Sequence, residues 1–138
     1  MTAFKYAALQ LGEGRPKELR FLHKGSLLQV ELQLVGPGGE TNLHAHTGQE
    51  EAWIVVNGKA RFHGREAGER WELGRLDGVF IPQGTPYWFE SIGDEPLEIL
   101  RVSARDPNAR DERVNYEALK EWQQDLGGRA ASDAEAAR

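Results

Sequence analysis

Turn-forming residues divide this chain into short segments, and this division restricts the fold more than any other feature. The 138 residues include 16 glycines and 6 prolines, which fall between short runs rich in β-branched and aromatic residues. These runs are Leu27–Val35, Ala52–Val56, Lys59–Phe62, Val79–Ile81, Tyr87–Phe89 and Leu97–Val102. Short strands separated by turns at regular spacing are typical of a β-sandwich or a small barrel. The sequence therefore predicts one all-β domain.

Two of these runs place their apolar residues differently. In the run that begins near Leu28, leucine and valine alternate with polar residues, which predicts a strand with one buried face. The polar residues are Gln29, Glu31 and Gln33. The run Ala52–Val56 is apolar at every position, as expected of a strand covered on both sides. A sheet face used in a homodimer gives the same pattern, so both interpretations stay open.

Only the C-terminal region predicts a helix. Asn115 is a candidate N-cap, and the apolar residues after it lie on one helical stripe. Those residues are Tyr116, Leu119, Trp122 and Leu126. We expect a barrel with N-terminal strands over residues 1–114, a helix over 115–127 and a disordered tail over 128–138, because the tail contains little apolar surface to bury.

The composition argues against several classes of function. The absence of cysteine excludes disulfides, thiol nucleophiles and cysteine-based metal sites. A net charge of −5 argues against a nucleic acid or an anionic membrane as the main partner. The longest uncharged stretch, Val79–Phe89, is interrupted by prolines and is too short for a membrane span. Because the first residues lack the apolar core of a signal peptide, we expect a cytoplasmic protein.

One glycine-bounded stretch contains residue types that hold metals. His44 and His46 are two positions apart, so on a strand both imidazoles point to the same side. A turn signal follows, and Glu51 then opens the next strand with its carboxylate opposite the two rings. Two imidazoles and one carboxylate on one side of a metal leave open positions on the other. Glu50 is the alternative carboxylate, but Glu51 shares its strand phase with Trp53.

The spacing Gly38-x5-His44-x-His46-x4-Glu51-x6-Gly58 matches the first signature motif of the cupin superfamily. From about residue 27 to residue 102 the chain resembles a small, single-domain cupin of the cupin-2 type. The resemblance implies a conical double-stranded β-helix, which is a jelly-roll barrel, with one metal held inside it. We therefore expect one divalent metal per chain (iron, manganese, nickel or zinc) and a homodimer.

The second cupin motif is incomplete. Asp77, Pro82 and Gly84 are in place, but Leu76 stands where the family has glycine. Tyr87 occupies the position of the histidine that supplies the fourth ligand. Three interpretations of this tyrosine stay open. It is a phenolate ligand, a proton donor or substrate partner beside the metal, or a side chain that fills the barrel.

Around the metal we expect an apolar pocket with a few polar groups. The candidate substrate-binding residues are Asn42, Trp53, Gln83 and Phe89. If Phe62 fills the interior, strand alternation turns Arg61 and His63 away from the site. We expect Arg101 to extend to the surface, as arginines on strands usually do.

These features favour a metal-dependent enzyme that acts on a small organic substrate. Iron at such a site favours an oxygenase, specifically a dioxygenase, whereas manganese, nickel or zinc favours a Lewis-acid isomerase or lyase in which Tyr87 moves the proton. The alternatives are a non-catalytic barrel that binds a sugar or another metabolite, and a barrel with a vestigial site. The sequence has no phosphate loop and no dinucleotide fingerprint.

Overall fold

The computed structural model describes residues 1–125 of the chain. The predicted tail over 128–138 and the end of the predicted helix lie outside these residues. The elements are β1 (Lys17–Lys24), β2 (Leu28–Val35), β3 (His44–His46), β4 (Gln49–Asn57), β5 (Ala60–His63), β6 (Arg70–Leu73), β7 (Gly78–Ile81), β8 (Trp88–Ser91), β9 (Leu97–Arg105), β10 (Arg113–Asn115) and α1 (Glu121–Asp125). The prediction of an all-β domain with a short C-terminal helix is confirmed.

The strands form one large antiparallel sheet and two smaller ones that face it. The large sheet has the order β1-β2-β9-β4-β7, and the smaller sheets have the orders β6-β5-β8 and β10-β3. An isolated bridge between His44 and Tyr87 joins β3 to the segment before β8. Because strands that are distant in sequence are neighbours in every sheet, the chain closes into a barrel around one interior.

The core lies between the large sheet and the β6-β5-β8 sheet. Three aromatic rings meet at its centre, with ring centroids 4.8 Å apart for Trp53 and Phe89 and 4.9 Å apart for Phe62 and Phe89. The other core residues are mostly aliphatic, and they are Val35, Val55, Ala60, Leu73, Ile81, Tyr87, Leu97 and Ile99. This packing fixes the strands that carry the candidate site.

Strand β2 presents its polar residues, rather than its leucines, to the barrel interior. Glu31 pairs with Arg101, which pairs with Trp53 of the core. Directly paired residues point to the same side of a sheet, so Glu31 faces inward. Leu32 is fully buried but lies on the outer face. The prediction of one buried face was therefore wrong, because both faces of β2 are covered.

The N-terminal segment lies over that outer face. Phe4 stacks on His23 of β1 with ring centroids 6.0 Å apart, and the Tyr6 hydroxyl donates a hydrogen bond to Glu98. Glu98 pairs directly with Leu34 of β2, so Tyr6 lies on the side to which the leucines point. This cover explains how a leucine face becomes buried without facing the barrel interior.

The predicted helix start at Asn115 was wrong. Asn115 ends β10 and pairs with His44, and its side-chain oxygen accepts hydrogen bonds from Asn42 and Arg113 instead of capping a helix. The helix begins only at Glu121. Within residues 1–125 no helix is long and apolar enough to cross a membrane.

Candidate functional site

Four predicted site residues meet at one end of the barrel. His44, His46, Glu51 and Tyr87 are each no more than 3% exposed. The two imidazole centroids lie 5.1 Å apart, and the rings of His44 and Tyr87 lie 4.6 Å apart. The Tyr87 hydroxyl donates to Glu51 at 3.0 Å and 3.1 Å from its two oxygens. Glu50 is exposed, so the strand phase separates the two glutamates as predicted.

Backbone contacts position these side chains. The amide and carbonyl of His44 both bond to Tyr87, at 3.1 Å and 2.9 Å, which places β3 beside the segment before β8. The turn between His46 and Glu51 requires glycine at position 48, because a Cβ there would lie 2.6 Å from the Cα of Asp111. The turn then returns the chain into β4, in which Glu51 points into the barrel.

A backbone carbonyl determines the tautomer of His44. Its Nδ1 lies 2.7 Å from the carbonyl oxygen of Asn42. Because a carbonyl only accepts hydrogen bonds, Nδ1 carries a proton, and the neutral form of this ring has its lone pair on Nε2. Histidines that bind metals are usually oriented by this kind of contact.

Arg101 lies inside the site, so the expectation that it extends to the surface was wrong. It is 1% exposed, and its Nε donates to Oε2 of Glu51. Its Nη2 donates to Gln49 at 3.3 Å, and its Nη1 lies 4.0 Å from Glu31. Burial lowers the pKa of the guanidinium, but attraction to Glu51 and Glu31 outweighs burial and raises that pKa above its usual value. Two buried carboxylates therefore hold the arginine inside.

The donor types at this site fit a divalent metal. Within residues 1–125, however, no three histidine or carboxylate side chains already lie close enough together to hold an ion. The Glu51 carboxylate lies against Arg101 and Tyr87, and its Oε1 is 3.7 Å from Nε2 of His46. That separation is longer than a hydrogen bond. It is compatible with two ligands that each lie about 2.1 Å from one ion. Two imidazoles and one carboxylate suit iron, manganese, nickel and zinc.

A family comparison identifies the fold. The family model Cupin_2, described as a cupin domain, matches residues 31–103, which include all four site residues. This chain belongs to the cupin family.

The cupin is 32% identical over 82 residues to the uncharacterized protein MJ1618 of Methanocaldococcus jannaschii, covering 59% of this chain and 64% of that protein. It is 31% identical over 93 residues to the mannose-1-phosphate guanylyltransferase ManC of Salmonella typhimurium, covering 67% of this chain and 19% of that enzyme. The cupin thus spans less than two thirds of either relative.

Solved structures share the architecture. A Klebsiella pneumoniae protein with a double-stranded β-helix domain superposes with a TM-score of 0.63 at 21% identity, over 78% of this chain and 90% of that chain. At this identity the match shows the fold, and the jelly-roll prediction is confirmed. A DMSP lyase structure superposes with a TM-score of 0.53 at 28% identity, over 65% of this chain and 44% of that chain.

Asn42, a predicted substrate contact, forms hydrogen bonds within the fold. Its side-chain nitrogen donates to Asn115 and to the carbonyl of Glu117, both at 3.0 Å. Its oxygen accepts from Arg113 at 2.7 Å. These bonds attach β10 and the residues just after it to the barrel and occupy the amide of Asn42.

The other predicted substrate-binding residues lie in three different environments. Trp53 is buried 6.3 Å from Tyr87, measured between rings. Phe89 is fully buried in the aromatic core. Gln83 is exposed at the barrel rim, where its amide donates to the carbonyl of Thr47 at 2.7 Å.

The outward direction of Arg61 and His63 is confirmed. Arg61 forms an ion pair with Glu72 at 2.6 Å, and His63 lies 2.7 Å from Glu90. Phe62 between them is 1% exposed in the core. His63 therefore does not supply a ligand to the interior site.

A cleft opens between strands β6 and β7 and reaches Tyr87. Its volume is about 520 Å³, within the range of small-molecule sites. The residues that line it are Phe62, His63, Gly64, Arg65, Glu66, Glu69, Trp71, Val79, Phe80, Ile81, Pro82, Thr85, Pro86 and Tyr87. Tyr87 thus both lines the cleft and donates a hydrogen bond to Glu51.

Proposed function

We propose that this cupin is a metal-dependent enzyme acting on a small organic substrate, with His44, His46 and Glu51 as the metal ligands. The observation that carries the proposal is that the two oxygens of the Glu51 carboxylate face different groups. Oε2 accepts from Arg101, while Oε1 faces Nε2 of His46 at 3.7 Å. An ion held by these three residues would supply Lewis-acid or redox chemistry at its remaining positions.

Tyr87 is the proposed proton carrier. Its hydroxyl donates to Glu51 at 3.0 Å, and its side chain lines the cleft. The phenol therefore connects a buried carboxylate with the space in which a substrate would lie. General acid–base catalysis requires such a group within hydrogen-bonding reach of both partners. In this proposal the Tyr87 hydroxyl gives a proton to the substrate or takes one from it.

The cleft provides a mostly apolar surface for the substrate. Trp71 of β6 and Phe80 of β7 lie on opposite sides of it, and Phe62 and Ile81 lie deeper. A substrate held there is shielded from water on several sides, which strengthens electrostatic contacts with the site. Similarity to a DMSP lyase at 28% identity supports a lyase or isomerase reaction over a dioxygenase.

A non-catalytic binding barrel is the second candidate. The observation in its favour is that Arg101 already neutralises Glu51 inside the barrel, so the carboxylate has a counter-charge without a metal. The similarity to ManC supports a sugar or related metabolite as the ligand of such a barrel.

A paired measurement separates the two candidates. The purified cupin is loaded with each of the four metals and mixed with catechols, diketones and hydroxy acids, while substrate loss and oxygen consumption are followed. Bound metal together with turnover that is lost in the His46→Ala variant supports the enzyme. A cupin that holds no metal, or that binds these compounds without converting any, favours the binding barrel.

A further inference from the structure

Three consecutive inward-facing residues of β2 are polar, and each has a side-chain oxygen that accepts no hydrogen bond. Gln29, Glu31 and Gln33 are each at most 8% exposed. Within residues 1–125, Oε1 of Gln29, Oε2 of Glu31 and Oε1 of Gln33 accept no hydrogen bond. The amide nitrogen of Gln33 donates to Glu31. This contact distinguishes the nitrogen of the Gln33 amide from its oxygen. Three buried acceptors are therefore aligned along one strand.

These acceptors lower the stability of the folded chain. Burying an oxygen without a hydrogen bond costs more than an apolar residue of similar size would cost at the same place. The outer face of the same strand shows the alternative, because Val30, Leu32 and Leu34 are buried there. Buried polar atoms without partners in a native protein are often kept for a ligand or an ordered water.

We propose that this polar face of β2 binds a polyhydroxylated small molecule on the Arg101 side of Glu51, apart from the cleft, whose lining contains none of these three residues. The inference rests on the second candidate of the proposed function, the binding barrel, and names its ligand class. The Glu31 carboxylate lies 4.0 Å from Arg101, which in turn donates to Glu51. The polar face and the candidate metal ligands therefore belong to one continuous network.

The arrangement of the acceptors favours a polyol over other polar ligands. All three unsatisfied atoms on β2 are oxygens, so the occupant must donate hydrogen bonds. The amide of Gln33 reaches the carboxylate of Glu31, so these two side chains converge. An ammonium group donates hydrogen bonds but accepts none, whereas a hydroxyl group does both. The Trp53 indole N–H, which also has no partner among residues 1–125, suits a hydroxyl oxygen.

The first test is stability without ligand. Gln29→Leu removes one unsatisfied oxygen, and we expect it to raise the Tm of the ligand-free cupin by about 3 °C. Gln29→Met serves as a second variant if the branched side chain does not fit. The control is Gln10→Leu at an exposed position, with no expected change. An unchanged or lower Tm in both Gln29 variants would mean that water or the fold satisfies this amide, and would overturn the proposal.

The second test is binding, with xylitol, D-xylose and ethylammonium chloride as probes in saturation-transfer NMR. We expect xylitol or D-xylose to bind, and Gln29→Leu to weaken that binding by about fivefold or more. Absence of polyol binding, binding that Gln29→Leu leaves unchanged, or binding of ethylammonium alone would overturn the proposed ligand class.

The metal content of the same samples separates this inference from the proposed enzyme. Metal bound without any polyol binding would contradict the ligand class and leave the enzyme proposal in place. Polyol binding that depends on Gln29 in a protein without metal would support the ligand class and contradict the enzyme proposal.

Discussion

Arg101 on β9 donates through Nε to one oxygen of Glu51, and the other oxygen of that carboxylate faces His46 at 3.7 Å. The two residues are nearly fully buried, so the ion pair lies where water does not screen it. The arginine holds the carboxylate in one orientation. This pair is the basis of the proposed metal site, because it leaves Oε1 facing Nε2 of His46.

Arg101→Met should strongly destabilise the cupin. The substitution leaves Glu31 and Glu51 buried without their counter-charge, and breaking a buried ion pair in this way costs about 3–5 kcal/mol. The free energy of unfolding in urea measures the loss. Arg61→Met is the matched control, because its ion pair with Glu72 is on the outer face, where water screens the two charges and the loss should be much smaller. Similar losses in both variants would contradict the role given to Arg101.

Tyr87→Phe should keep the fold and the metal but reduce turnover. The phenylalanine ring still packs against Phe62 and His44, while the proton on the hydroxyl is lost. General acid–base groups typically contribute about 10²–10⁴-fold to the rate, and we expect a loss of that size in kcat with little change in KM. Loss of bound metal would instead make Tyr87 a ligand. No effect on either quantity would make it core packing.

Asn42→Ala should loosen the C-terminal segment without changing the metal content. Three hydrogen bonds from this side chain hold residues 113–117 on the barrel. Hydrogen exchange measures the effect, and we expect faster exchange at the amide of Tyr116, which bonds to the carbonyl of Leu43. Amides of β9 should be unaffected. Unchanged exchange at Tyr116 would show that other contacts hold the segment.

Leu76→Gly should stabilise the cupin. Leu76 is the one non-glycine residue among residues 1–125 with positive φ, at 68°, and its side chain is 68% exposed. A left-handed conformation costs a residue with a Cβ about 1–2 kcal/mol, and glycine removes most of that cost, so the Tm should rise by about 3 °C. Gly84→Ala is the reciprocal control: φ is 79° there and the space is open, so stability should fall. A lower Tm for Leu76→Gly would mean that the leucine makes contacts that outweigh the strain.

The sequence predicted the candidate ligands better than their surroundings. His44, His46 and Glu51 follow from short spacing and strand alternation, which are local properties. The buried position of Arg101 could not be predicted, because its partners Glu31 and Glu51 are at least 50 residues away along the chain.

Other elements were missed for different physical reasons. Alternation in β2 predicts two distinct faces but does not identify the face that lines the barrel. The leucine face can lie outside because the N-terminal segment covers it. Strands β1 and β6 were not predicted, because their charged residues hide a regular pattern. The Asn115 side chain can cap a helix, but its oxygen accepts a hydrogen bond from Asn42 instead.

The metal content of the cupin purified without added metal or chelator tests the central claim most directly. We expect about one divalent ion per chain in the wild type, its loss in His46→Ala with an unchanged circular dichroism spectrum, and its retention in the outward-facing control His63→Ala. A wild-type protein that holds no metal even after soaking, or a His46→Ala variant that keeps a full complement, would contradict the account.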